Sequence, residues 1–144
     1  MIKKYPLFNK DNDDEFNEKT LNIFKNIFNK YTLNTQKMDL IYMNDYISKA
    51  ITIREMSISE NIIINEIKRY DQGNKGYITF EEFLQYYLNC YKTKPYVIYN
   101  HLCNLGYRRD LELLNSPLLD NSLDYEENNV MEYMPRYFIG NNNN

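Results

Sequence analysis

The sequence predicts an all-α domain: four amphipathic helices in two pairs, a short strand pairing between their loops, and one helix added on the C-terminal side. Three observations carry that expectation. Apolar residues recur at steps of three and four along several segments, the period of a helix with one buried face. Ser57-Ile58-Ser59-Glu60 and Thr79-Phe80-Glu81-Glu82 both have the Ser/Thr-x-x-Glu form of a capping box, which opens a helix. Gly73, Gly76, Pro95 and Gly106 fall between the periodic segments, where turns and helix ends are needed.

Residues 1–12 read as a flexible arm. Asp11, Asp13, Asp14 and Glu15 follow, and carboxylates at a helix start complement its exposed N–H groups; a solvated helix start accounts for them better than a metal site. From Asp14 to Tyr31 the residues Leu21, Phe24, Phe28 and Tyr31 step by three and four, and Ile23 and Ile27 widen the stripe. After a polar stretch, Leu40, Tyr46, Ile47 and Ile51 place a second helix from about Asn44. The third starts at the Ser57 box and buries Ile63, Ile64, Ile67 and Tyr70. The fourth starts at the Thr79 box and carries Phe83, Tyr87 and Cys90 on one side.

Lys94-Pro95 ends the fourth helix, because proline lacks an N–H and restricts the residue before it. The same proline suits a first turn, and Val97, Ile98, His101, Leu102 and Leu105 trace a fifth helix closed by Gly106. Residues 95–114 thus form an appended helical segment, with one more short helix expected over Arg108–Leu114. Residues 115–144 read as a mostly irregular, acidic and Asn-rich tail. Its exception is the apolar run from Tyr133 to Ile139, which either docks on this domain or begins a following one.

Composition narrows the function classes. With 144 residues the chain can bury a core without disulfides. A net charge of −3 and the lack of a basic stripe argue against nucleic acid as a partner. No stretch approaches the roughly 20 apolar residues that span a bilayer. The N-terminus has no apolar run behind its lysines and does not read as a secretory signal. Cys90 and Cys103 follow no disulfide or zinc spacing, which fits reduced thiols and a cytoplasmic protein. Abundant Asn, Ile, Lys and Tyr with a single Ala point to a codon bias, so scattered Asn and Tyr carry little functional weight. The closing run of asparagines looks like the edge of a low-complexity tract, and the expectation is a piece of a larger polypeptide.

The chemistry-bearing segment is Asp71-Gln72-Gly73-Asn74-Lys75-Gly76-Tyr77-Ile78-Thr79-Phe80-Glu81-Glu82. It resembles the twelve-residue loop of the EF-hand superfamily, in which oxygens from positions 1, 3, 5, 7, 9 and 12 surround calcium. Asp71 stands at position 1, the Tyr77 carbonyl at 7, Thr79 at 9 and Glu82 at 12. Gly76 holds the sharp turn at position 6, and Ile78 holds position 8 in the strand that pairs two such loops. The ligand set is damaged, since position 3 is Gly73 and position 5 is Lys75, an ammonium in place of an oxygen. No cofactor is expected; calcium is possible only at low affinity, about millimolar or weaker.

EF-hands pair, so a sibling loop is expected upstream. Aligning Asp45-Tyr46 with Glu82-Phe83, Ile41 with Ile78 and Tyr31 with Tyr70 requires one extra residue in the first loop. Position 6 is then Asp39, and the ligand positions hold Asn34, Gln36 and Met38, which make no calcium cage. The resemblance thus implies a degenerate EF-hand pair over residues 13–92. Phe24, Phe28, Ile63, Ile67, Phe83 and Tyr87 line a possible groove for a protein or peptide partner, the manner in which related modules hold amphipathic targets.

A second, narrower resemblance begins at Tyr70. The runs YDQGNKGYITFEEFLQYY, KPYVIYNHLCNLGYRRDLELL and YMPRYFIGNN are similar to a non-catalytic segment of very large ubiquitin-specific proteases (ubiquitin carboxyl-terminal hydrolases). That resemblance implies an EF-hand-like accessory domain leading into helical repeats, away from the protease core. The cysteine and histidine boxes of that core are absent from this sequence. His101 and Cys103, two apart on a helix, point to nearly opposite sides and cannot share an ion. No phosphate loop, nucleophile elbow or zinc signature is present. The reading is therefore of a chain that is not itself an enzyme. It is a calcium-independent interaction or scaffold module, with an accessory domain of a ubiquitin-specific protease and a weak calcium-responsive sensor as alternatives.

Overall fold

A computed structural model describes residues 3–51 and 60–115 of the chain. The Ser57 capping box, the start of the third helix before Glu60 and the Tyr133–Ile139 run lie outside the described residues. Among the described residues the protein is mostly helical, with five α-helices and one two-stranded sheet. They follow the order α1 (Glu18–Tyr31), β1 (Met38–Asp39), α2 (Leu40–Ala50), α3 (Glu60–Lys68), β2 (Tyr77–Ile78), α4 (Phe80–Tyr91) and α5 (Pro95–Asn104). None of these helices is long and apolar enough to cross a membrane.

Helices α1, α2 and α4 start where side chains can satisfy their orphan N–H groups. Asn17 caps α1, accepting from the Thr20 N–H at 2.9 Å, so α1 begins four residues later than the periodicity placed it. Asp39 caps α2 by accepting from the Tyr42 N–H at 3.0 Å. Thr79 caps α4, and Glu82 completes the box by accepting from the Thr79 N–H at 2.8 Å.

β1 and β2 pair antiparallel, with Met38 opposite Ile78 and Asp39 opposite Tyr77. This corrects the expected register. Ile41 is not the partner of Ile78; it sits in the first turn of α2 and is 76% exposed. Aligning the caps Asp39 and Thr79 makes Met38 the counterpart of Ile78, both fully buried, and places Tyr42 where Glu82 stands. The expected alignment was off by three residues. A three-residue slip rotates a helix by nearly a full turn, so the apolar periodicity survives it almost unchanged. The caps break the degeneracy, and α2 begins at Leu40 instead of Asn44.

α1 packs on α2 and α4, α2 on α3 and α5, and α4 on α5. Phe83 is the centre of the core, with ring centroids of Phe28 at 5.4 Å, Tyr46 at 5.2 Å, Tyr87 at 5.3 Å and Phe24 at 5.9 Å. These separations suit tilted and edge-on aromatic contacts. Tyr46 and Tyr87 are buried with their hydroxyls hydrogen-bonded to each other, and Tyr87 Oη lies 3.0 Å from His101 Nδ1. α5 is thereby bonded into the core as well as packed on it through Ile98 and Leu102. Asn104 extends the attachment by donating to the Ala50 carbonyl at the end of α2, 2.8 Å away.

Two peripheral segments differ from expectation. Residues 3–12 are docked: Leu7 is buried, its carbonyl accepts from the Asn17 N–H at 2.9 Å, and Phe8 stacks on Phe16. Tyr5 joins the far end of the chain, its N–H donating to the Arg109 carbonyl at 2.9 Å and its carbonyl accepting from the Tyr99 hydroxyl. The spacing concealed this because two isolated apolar residues, Leu7 and Phe8, set no period. Residues 108–114 are not helical. Gly106, at φ +101°, ends α5, and the chain turns back through Leu111 at φ +65° to bridge Tyr107 with Leu113.

Candidate functional site

The loop between α3 and α4 brings Asp71, Lys75, Gly76, Tyr77, Ile78, Thr79 and Glu82 into one compact unit. Asp71 closes the turn, its carboxylate accepting from the Lys75 N–H at 3.0 Å and the Gly76 N–H at 2.8 Å. Gly76 has φ +89°, a conformation L side chains avoid, which allows the chain to reverse between Lys75 and β2. Ile78 then enters the core, while Tyr77 and Thr79 stay partly exposed on either side. Glu82 reaches back from the first turn of α4 and accepts from the Gln72 N–H at 2.7 Å and the Thr79 N–H at 2.8 Å.

The two carboxylates converge on a cation that the chain itself supplies. Lys75 Nζ lies 3.0 and 3.2 Å from the two Glu82 oxygens, 3.1 Å from Asp71 Oδ1 and 2.6 Å from the Gln72 carbonyl. An ammonium offers three donors, and here each of its neighbours is an acceptor. Partial desolvation pushes the Asp71 and Glu82 carboxyls up, but the backbone N–H donors and the Lys75 charge outweigh it and hold both below their usual range. Desolvation pushes Lys75 down, and the bonds to Glu82 and Asp71 outweigh that too, so it is raised above the usual lysine value. Among the residues expected to hold calcium, Asp71 and Glu82 thus meet at one point and Thr79 serves as a helix cap. Lys75, which the motif flagged only as a lost ligand, is the hub.

The first loop has no comparable site. Thr32, Leu33, Asn34, Thr35, Gln36 and Lys37 close on themselves, with the Asn34 N–H donating to the Asn29 carbonyl at 2.8 Å and Thr35 Oγ1 donating to the Thr32 carbonyl at 2.8 Å. Leu33, Asn34 and Gln36 all have positive φ without being glycine. Ile41, expected to pair the loops, takes no part in the sheet.

The expected partner groove is closed. Phe24, Phe28, Ile63, Ile67, Phe83 and Tyr87 are all buried and form the core itself. Six apolar positions on the inner faces of three helices, α1, α3 and α4, read equally well as core or as groove, because periodicity reports which residues face inward and not what they face. Burial also raises the thiol pKa values, to about 12 at Cys103, so neither cysteine is primed as a nucleophile.

The buried Tyr46–Tyr87–His101 hydrogen-bond chain escaped sequence reading. Its legible signal was a polar residue, His101, at a position of α5 that the periodicity buries. A buried imidazole needs a partner, and the tyrosines of α2 and α4 are the candidates that the helix packing brings near. Comparison with family models, with curated proteins and with solved structures finds no match to this chain.

Proposed function

We propose that residues 13–92 are a degenerate EF-hand pair that works as a calcium-independent interaction or scaffold module of a larger cytoplasmic protein. The observation that carries this reading is the position of Lys75 Nζ, within 3.2 Å of both Glu82 oxygens, of Asp71 and of the Gln72 carbonyl. A divalent ion seeking those oxygens must displace an ammonium tethered beside them. It would find Gly73 and Lys75 where two further oxygen ligands are needed. This donor set supports low affinity for calcium at most. A sensor acts by changing its helix angle when the ion binds, whereas here the loop is closed by the chain's own charges.

The similarity of the runs from Tyr70 onward to ubiquitin-specific proteases supports a context for the module, as an accessory domain of such an enzyme and not its catalytic part.

The test is a calcium titration of chelator-treated protein followed at the backbone amides, with magnesium as control. The amides of Gly76 and Ile78 are expected to stay fixed up to about millimolar calcium. Micromolar shifts spreading into α3 and α4 would make the protein a calcium sensor.

A further inference from the structure

A shallow groove of about 390 Å³ runs along the seam of α1 and α4, away from the closed set of core residues. Its apolar lining is Phe16, Leu21, Leu84 and Leu88, and its rim carries Glu15 and Glu18. The three leucines are only half-buried, although the helices around them are fully packed. Among the described residues no lysine or arginine lines the groove. The ammonium of Lys92, the C-cap of α4 one turn beyond Leu88, is held by Asp14, and the exposed Lys25 lies one turn along α1 from Leu21. Asp11 and Asp13 are exposed in the segment that leads to the rim.

We infer that this groove docks a basic amphipathic segment of a partner protein, its apolar side chains on Leu21, Leu84 and Leu88 and its cations against Glu15 and Glu18. The inference rests on the reading of the chain as an interaction module and names the chemistry of what it takes. Charge complementarity selects the occupant. The chain's own residues 116–144 hold five carboxylates (Asp120, Asp124, Glu126, Glu127 and Glu132) against one cation, Arg136. A second copy brings a net charge of −3. Each carries a net charge of the same sign as the rim, although the run Tyr133–Ile139 taken alone holds only Arg136, whereas a lysine- or arginine-rich segment brings a net charge of the opposite sign. The acidic rim steers approach and the leucines supply the apolar contact, the division of labour of a helix-in-groove complex.

The experiment uses the full chain and two synthetic probes. One is a helical peptide with leucines at i, i+3 and i+7 and lysines elsewhere on its surface; the other has glutamates in place of the lysines. The lysine peptide is expected to shift the methyl signals of Leu21, Leu84 and Leu88. Its affinity should fall at least about tenfold in Leu84→Ala/Leu88→Ala and several-fold in Glu15→Gln/Glu18→Gln, the latter with a flatter salt dependence. Melting temperatures establish that the variants fold. The inference is overturned if the two peptides bind alike, if neither binds at about 1 mM, or if the shifts map elsewhere. It is also overturned if the chain forms a dimer that Leu84→Lys dissociates, since a second copy then owns the face. The same holds if Tyr137→Ala/Phe138→Ala strengthens peptide binding, since the chain's own C-terminal run is then the occupant. Calcium added to the same samples keeps the two readings apart. Fixed Gly76 and Ile78 amides with no peptide binding sink the groove alone, and calcium-driven movement of those amides sinks the static module.

Discussion

Lys75 Nζ, from the middle of the loop, sits 3.0 Å from Glu82 Oε2, seven residues on in sequence and at the loop's last position. Glu82 is at once the capping-box residue of α4, the acceptor for the Gln72 N–H and the partner of this ammonium. One carboxylate therefore ties the start of the loop, its middle and the helix that follows. The arrangement performs with a side chain what a bound ion performs elsewhere: it neutralises two converging carboxylates and fixes the entry angle of a helix.

Replacing that ammonium should expose the carboxylates to each other. Lys75→Met is expected to lower the melting temperature, because Asp71 and Glu82 then converge without a counter-charge. Lys75→Asp should lower it further in chelator and recover part of the loss with added calcium, which wild type should not show. Thermal scans with and without calcium check both. A calcium-insensitive Lys75→Asp variant would mean that the remaining oxygens are too far apart to share an ion.

The same triad sets a pH window. Asp71 and Glu82 are held below their ordinary values of 3.8 and 4.5, so the stability they contribute is complete above those values and is lost as pH falls through the lowered ones. Lys75 is raised above 10.5, so its contribution is complete below that value and is lost as pH rises through the raised one. Urea unfolding as a function of pH should show a plateau at neutral pH with an acid limb below about pH 4. In Lys75→Met the acid limb should be shallower, because the carboxylates have then lost part of what lowered them.

How much of this could be read from the sequence depended on what kind of signal each residue leaves. Helix α4 was legible because period and cap agree at Thr79 and Glu82; α5 was legible from its period and Pro95, and α1 from its period alone, which did not mark Asn17 as the cap. The pairing of the loops was legible from Ile78, but its partner was misplaced at Ile41, because a three-residue slip leaves the helical stripe intact. Asp39, read there as a loop residue, is the cap that decides the register. The docking of Leu7 and Phe8 was illegible, since it depends on a long-range approach to Asn17 and Phe16 that no local pattern encodes. The motif marked Lys75 as a defect, and only the folded loop shows where four atoms of carbon stem carry its charge.

The buried hydroxyl chain gives a graded prediction. Tyr46→Phe removes the outer hydroxyl but leaves the Tyr87 hydroxyl with His101, so the loss should be about 0.5–1.5 kcal/mol. Tyr87→Phe removes the central hydroxyl and leaves that of Tyr46 without its partner in a fully buried site, so the loss should be larger, about 1–3 kcal/mol. The double variant should cost less than the two singles together, because the second change removes a group the first had stranded. Urea denaturation of the three variants completes the cycle. Strict additivity would mean that the two hydroxyls do not depend on each other.

Gly76 separates conformational cost from steric cost. A Cβ built at this position meets nothing within 4 Å, yet the backbone sits at φ +89°. Gly76→Val should therefore destabilise through the backbone alone, by about 1–2 kcal/mol or somewhat more for a β-branched side chain. Gly76→Asn should cost clearly less, since asparagine tolerates positive φ better than other residues with a Cβ. Equal losses for the two variants would point to crowding, which the open space around the glycine argues against. No loss for either would mean that the chain can reverse elsewhere in the loop, and the hydrogen bonds from the Lys75 and Gly76 amides to Asp71 would then not be what shapes it.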